Sequence, residues 1–376
     1  MQLPVKPRRA ALGIVMAAAL AMAVPAGAGA APFGGSFLGR FSTTSFIASA
    51  VPVSGPAAGD QNPYGVAVVH HSIGRLVRGD VLVSNFNNSA NTQGTGSSIV
   101  EISPAGRQQV FAVVPQPTAT PAVGLTTALV VLGNGDVIVG SLPAPGGASS
   151  AMTAGALTVL NPRGQVIRTL TAPDINGPWD MTAVQFGPFV TLFVTNVLNG
   201  TVQAGGATVD GGTVVRIRLV LTPSGPLVIG NQVIATGFGE HTDPNALVVG
   251  PTGVGLGRDD VLYVADSVGN RIAAVPDALL RGSVLAGGGF TLSSNMALND
   301  PLGLTIAPNG NVISANGSDG NVVETTPFGA TVNVTTLVPD GGGDLFGVAI
   351  APHGAGLYFV DDNGSGPGAN SLGLLH

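Results

Sequence analysis

The sequence predicts an all-β chain: a six-bladed β-propeller of four-stranded antiparallel blades, closed by the N-terminal strand joining the last blade. Three observations lead there. A short entry pattern returns at positions 65, 124, 180, 246, 303 and 347, roughly 44 to 66 residues apart, a spacing in the range of propeller blades. Short apolar runs alternate with clusters of Gly, Pro, Asn and Asp, with almost no helical periodicity. The last copy has room for only three strands, whereas an apolar run near the start has no partner beside it.

In chain order, residues 1–30 have the three parts of a secretory signal peptide. Lys6, Arg8 and Arg9 form a basic start, Ala10 to Val24 an apolar run, and Ala28-Gly29-Ala30 an A-x-A cleavage site. The run of about fifteen residues is short of the roughly 20 that a spanning helix needs. The chain is therefore expected to be exported, periplasmic or secreted, and cut after Ala30, leaving residues 31–376 as one propeller domain.

Phe41 to Val53 reads as a strand without a hairpin partner. The first blade opens at Asn62-Pro63-Tyr64-Gly65 and the second at Val123-Gly124-Leu125. The third opens at Pro178-Trp179-Asp180-Met181, and the fourth at Pro244-Asn245-Ala246-Leu247. The fourth contains the clearest hairpin of the chain, Asp260 to Pro276, in which Asp266, Gly269 and Asn270 form a turn between two apolar strands. The fifth opens at Pro301-Leu302-Gly303 and the sixth at Leu345-Phe346-Gly347. The sixth keeps strands near 347–350, 357–360 and 371–375, so Phe41 to Val53 is expected to supply its outermost strand, leaving no open edge.

Composition limits the chemistry. There is no cysteine, so stability comes from packing even in an oxidising compartment. Lys6 is the only lysine, which leaves residues 31–376 with 11 arginines against 20 carboxylates and a net charge of about −9. Schiff-base chemistry has no lysine to use, and nucleic acid, which needs a basic face, is not expected as a partner. The mean hydropathy is positive, yet no run after the leader is long enough to span a membrane. Strands buried on both faces between stacked sheets account for it. No nucleophile elbow, zinc-binding helix motif, phosphate loop or dinucleotide fingerprint is present.

The entry strings, together with VLYVADSVGNRI and the N-x-[IV]-x-x-[IV]-x-P-x-G closing pattern, resemble the NHL-repeat propellers. More distantly, they are similar to the gluconolactonase and senescence-marker-protein family. The resemblance spans about residues 41 to 376 and implies a ring whose first strands line a central channel, with ligands at one mouth. It places Tyr64, Trp179, Asn245 and Phe346 there, beside Leu302 and Val123, as a ligand-binding set; the same side chains serve equally to pack the entry loops against neighbouring blades. In the lactonase family such loops hold a divalent metal. Asn245 matches the position of that family's Pro-Asn-Gly-Leu string, and Asp180 lies one residue from its Pro-Asp-Gly-Met position.

The densest polar stretch is Glu240-His241-Thr242-Asp243-Pro244-Asn245. Glu240 and His241 are candidate general bases, and Asp180, Asp243 and Asn245 candidate oxygen ligands for Ca2+ or another divalent metal. Asp243 and Asn245 equally suit a turn. His70-His71 points to opposite faces of a strand, and His353 stands in a turn. The expected function is a monomeric ligand-binding or protein-interaction module acting through the channel mouth on a small molecule or a protein. The alternative is a metal-dependent lactonase-like hydrolase or lyase.

Overall fold

A computed structural model of the chain describes residues 35–116, 122–339, 341–362 and 369–376. The leader expected at 1–30 lies outside them. Short apolar strands separated by turn residues pair with their sequence neighbours into six antiparallel sheets. The innermost strands are Gln61–Val68, Leu125–Val131, Pro178–Phe186, Pro251–Leu256, Pro301–Ile306 and Leu345–Ile350. Each packs beside the next, and the sixth returns to the first, so the sheets stand as blades around a channel.

The core lies between blades. Leu82, Ile99 and Phe111 of blade 1 meet Leu125, Val137 and Val139 of blade 2. Val81, Val83 and Val100 on the other face of blade 1 meet Tyr358, Val360 and Leu372 of blade 6. Every residue of the second strand of blade 1, Val81–Asn87, is buried. Both faces of a strand are thus covered, which is why this charge-poor sequence reads as hydrophobic throughout.

Closure follows the sequence expectation. Thr44–Ser49 pairs antiparallel with Ser371–Leu375 and becomes the outermost strand of blade 6. The chain just before it is fastened to blade 5: Phe37 N and Leu38 N donate to the buried carboxylate of Glu324, at 2.7 and 2.8 Å.

Three expectations need correction. Blade 3 has five strands, because Leu247–Val249 folds back on His241–Asp243 and adds an edge. Pro244-Asn245-Ala246-Leu247 is therefore the tip of a hairpin, and blade 4 enters seven residues later at Pro251-Thr252-Gly253-Val254. Pro251 pairs with Asp266 as Pro301 pairs with Asn316 in blade 5. In blade 2 the entry strand begins at Leu125, so Thr126 stands where Val123 was expected, and Val123 is buried in the core.

What fixes the true entries is the seam between innermost strands. A Cβ on Gly253 would overlap the Leu302 carbonyl oxygen, one on Gly303 that of Phe346, and one on Gly347 that of Tyr64. Only glycine lets the chains approach so closely. Gly347→Ala is expected to lower Tm by several degrees, the effect of about 1–3 kcal/mol of overpacking. Gly282→Ala, where a Cβ meets open space, should leave the thermal unfolding curve almost unmoved. Equal shifts for the two variants would show that the seam does not limit stability.

Candidate functional site at the channel mouth

The loops entering each blade and the turns after each second strand share one face of the ring. Between them lies a cavity of about 350 Å3, in the size range of small-ligand sites. Tyr64, Trp179, Asn245 and Phe346, and also Asp243, line it. Side chains from well-separated stretches of the sequence meet there.

Tyr64 and Trp179 are each only 5% exposed. Tyr64 stacks on Phe86 with 4.5 Å between ring centroids and lies 4.1 Å from Phe346; Trp179 meets Tyr64 and Phe86 edge-on at 6.0 and 5.7 Å. Leu142, Ala144 and Met152, from the long Gly/Pro-rich loop of blade 2, pack against this group. The packing role expected of these aromatics is thus present, and their remaining surface forms a wall of the cavity. Phe346 keeps more exposure than the other two. Burial and the nearby Asp362 push the Tyr64 hydroxyl far above its usual range.

The polar candidates separate. Asp243 Oδ1 accepts from Asn245 N at 2.6 Å and Ala246 N at 3.3 Å, the geometry of an Asx turn. Asn245 is exposed at that hairpin tip, and its carbonyl accepts from Gln93 Nε2. Asp180 faces elsewhere. It occupies the position that is Gly65, Gly253, Gly303 and Gly347 in other blades, so its carboxyl lines the central channel, a separate cavity of about 400 Å3 walled by the innermost strands. There burial drives it well above the usual carboxylate range, against the opposing donation of Met181 N and Val254 N. Asp180, Asp243 and Asn245 consequently do not form one ligand set. Among the described residues no three His, Asp or Glu side chains gather to hold a metal ion.

Glu240 and His241 line neither cavity. Glu240 is fully buried, and its Oε1 accepts from Asn199 N at 2.7 Å, holding down the loop after the second strand of blade 3. The other two glutamates act in the same way, Glu101 accepting from Val77 N and Glu324 from Phe37 N and Leu38 N. Each satisfies backbone donors that a loop would otherwise bury unpaired. His70, His71 and His353 are exposed on the opposite face of the ring, where His70 and His353 line another cleft and His70 also borders the central channel.

Among the lining residues that sequence reasoning missed are Asn62, Gln93, Asp300 and Asp362. Asn62 and Asp300 immediately precede the entry prolines and take left-handed φ values of 60° and 57°. That shared position was the available signal. Asp362 follows the second strand of blade 6, whereas Asn85 and Asn316, within the second strands of blades 1 and 5, tie loops through Ala50 O and Ala297 O. Asp362 instead reaches the cavity. Burial, with Asp344 and Asp361 adding repulsion, pushes it up to about 7, and burial also raises Asp300.

Burial likewise pushes Glu240 up to about 7 from the usual 4.5. The folded chain then keeps a proton that the unfolded chain releases across that interval, so Glu240 lowers stability as pH rises through it. Glu240→Gln, uncharged at every pH, should raise Tm at pH 8 and change it little at pH 5. A lower Tm at pH 8 would mean that the carboxylate charge is needed there.

No family model matches the sequence, and no curated protein matches it. Solved structures do. A calcium-binding regucalcin from Agrobacterium tumefaciens superposes with a TM-score of 0.55 at 14% identity, covering 88% of this chain and 94% of that one. A gluconolactonase from Xanthomonas campestris gives 0.53 at 15%, covering 84% and 86%. The PQQ-bound aldose sugar dehydrogenase from Streptomyces coelicolor gives 0.52 at 16%, covering 88% and 97%. The chain is thus a six-bladed β-propeller similar in fold to gluconolactonase and regucalcin, at identities that establish the fold alone.

Proposed function

We propose that this protein is an exported propeller of NHL type that binds a small ligand in the mouth cavity. The observation that carries the reading is the convergence of Tyr64, Trp179, Asn245 and Phe346, spread over nearly three hundred positions, on one cavity. An apolar wall with a few polar groups is the usual make-up of a ligand site. The alternative, a metal-dependent lactonase-like hydrolase or lyase, draws on the activity named for one structural neighbour, a gluconolactonase. Against it, the candidate metal ligands do not converge, and neither Glu240 nor His241 lines the cavity.

Trp179 is the only tryptophan and lines the cavity, so its emission reports on the site. Titration with sugars, sugar lactones and aromatic amines should produce a saturable change for the compound that binds. Phe346→Ala should weaken that compound about tenfold, as loss of an aromatic anchor does. Binding seen by calorimetry with unchanged Trp179 emission would remove the mouth as the site. Turnover of a lactone on adding divalent metal would favour the enzymatic alternative. Export is tested by N-terminal sequencing of the protein recovered outside the cytoplasm: a mature start at Ala31 is expected, and an intact Met1 terminus would refute it.

A further inference from the structure

The mouth face and the opposite face differ in charge. Among the described residues Asp243, Asp300, Asp319, Asp344, Asp361 and Asp362 stand in the entry loops and second-strand turns of the mouth face. The arginine of that face, Arg271, is already paired with Asp266 at 2.7 Å. Arg75, Arg78, Arg107, Arg163, Arg258 and Arg281 lie in the turns at the other end of the strands. There they stand among Asp80, Asp136, Asp259, Asp260 and Asp277, so that end carries both signs. The mouth cavity is thus the centre of a negative field, and its low-dielectric walls concentrate that field.

The hydrogen-bonding inventory of the cavity is equally one-sided. Asp243, Asp300 and Asp362 line it, and no lysine or arginine is among its described lining residues. Ionised carboxylates only accept hydrogen bonds. Two further lining residues, Asn62 and Gln93, carry buried side-chain carbonyl oxygens, Asn62 Oδ1 and Gln93 Oε1, that have no hydrogen-bond partner. Asn62 is only 5% exposed, so bulk water does not readily serve its oxygen. Buried acceptors left unmade are costly, and a ligand that brings donors recovers that cost. Beside them stand the rings of Trp179 and Phe346, whose faces attract cations.

Resting on the mouth as the binding site, we propose that its ligand is an organic cation: an amine bound as its ammonium, facing Asp300 and Asp362, with its apolar part against Trp179 and Phe346. An anionic ligand would meet carboxylates without a counter-charge. A neutral polyol would satisfy the acceptors but gain nothing from the field. The groups around Asp362 are Tyr64, Asp344 and Asp361, and His241 lies close enough to Asp300 to favour its ionised form. With Asp362 at about 7, its charge is complete above that pH and lost below it, so affinity for a cation should rise from pH 6 to pH 8.

The test uses the full mature protein and four probes: 2-phenylethylammonium, benzyltrimethylammonium, the neutral 2-phenylethanol and the anionic phenylacetate. Binding is measured by calorimetry and by Trp179 emission. At least one cation should bind about tenfold more tightly than the alcohol at pH 8, a gain typical of a desolvated cation beside a carboxylate and a ring. The preference should shrink at pH 6 and largely vanish in Asp362→Asn. Asp300→Asn provides a second variant, each checked for native circular dichroism. Alcohol binding equal to that of both cations, or tighter phenylacetate, would overturn the cationic assignment and leave the mouth site standing, because Trp179 would still respond. Calorimetric binding without a Trp179 response would overturn both readings. Failure of both cations to bind at millimolar concentration would overturn the inference as well.

Discussion

The structure depends on how closely each innermost strand can lie against the next. At the seams from blade 4 to 5, 5 to 6 and 6 to 1, a glycine faces the neighbour's carbonyl oxygen with no space for a Cβ. Elsewhere a hydroxyl bridges the gap. Ser84 Oγ accepts from Gly65 N at 3.0 Å and donates to Thr126 O at 2.9 Å across the seam. Thr195 Oγ1 does the same between Asp180 N and Thr252 O, at 3.0 and 2.8 Å. The hydroxyls pair main-chain groups at the centre of the ring, where no ladder partner exists. Both devices also fix the residue before each seam contact, so Tyr64, Trp179 and Phe346 are delivered to the mouth by the same geometry that closes the ring. Blades 2 and 3 have no glycine at this position, and in blade 3 Asp180 puts a carboxyl into the channel.

A chain with no cysteine and few charges still has to hold long loops. It does so with buried acceptors. Glu101, Glu240 and Glu324 each take backbone N–H groups from a loop, and Asp60 Oδ2 takes those of Ser97 and Ser98 at 2.8 and 3.0 Å. Asn85 and Asn316 do the complementary work by donating to loop carbonyls. The carboxylates that look catalytic in a sequence so short of them are thus largely structural. Hydrogen bonds from the loops oppose their desolvation; in Glu324 they outweigh it, whereas in Glu101, Glu240 and Asp60 burial still raises the carboxyl above its usual range.

Asp300 and Asp362 differ because they border a cavity. Their loops leave a cavity between them, and the face around them is acidic. The arginines, gathered at the other end of the strands, make the ring electrically asymmetric along its axis. Such asymmetry orients and steers charged partners over distances longer than a contact.

Much of this was legible in the sequence. Repeat spacing gave six blades, and the unpartnered Phe41 to Val53 run gave the closing strand, because local alternation and turn residues report directly on antiparallel hairpins. The position after the entry proline marked Tyr64 and Trp179, and its counterpart in the copy without that proline marked Phe346. The sequence misplaced the fourth entry, because PNALVV and PTGVGL are both apolar runs led by proline. Only the need for Gly253 at the seam, a contact with Leu302 in another blade, distinguishes them. Asn245 reached the cavity all the same, as the tip of an added hairpin. Whether a carboxylate pins a loop, lines the channel or faces the mouth depends on which strands lie beside it. Glu240 and Asp243 are three residues apart on one strand, yet one is sealed under a loop and the other borders the cavity. Local pattern determined the blades; packing between blades, which brings together residues far apart in the chain, decided the site.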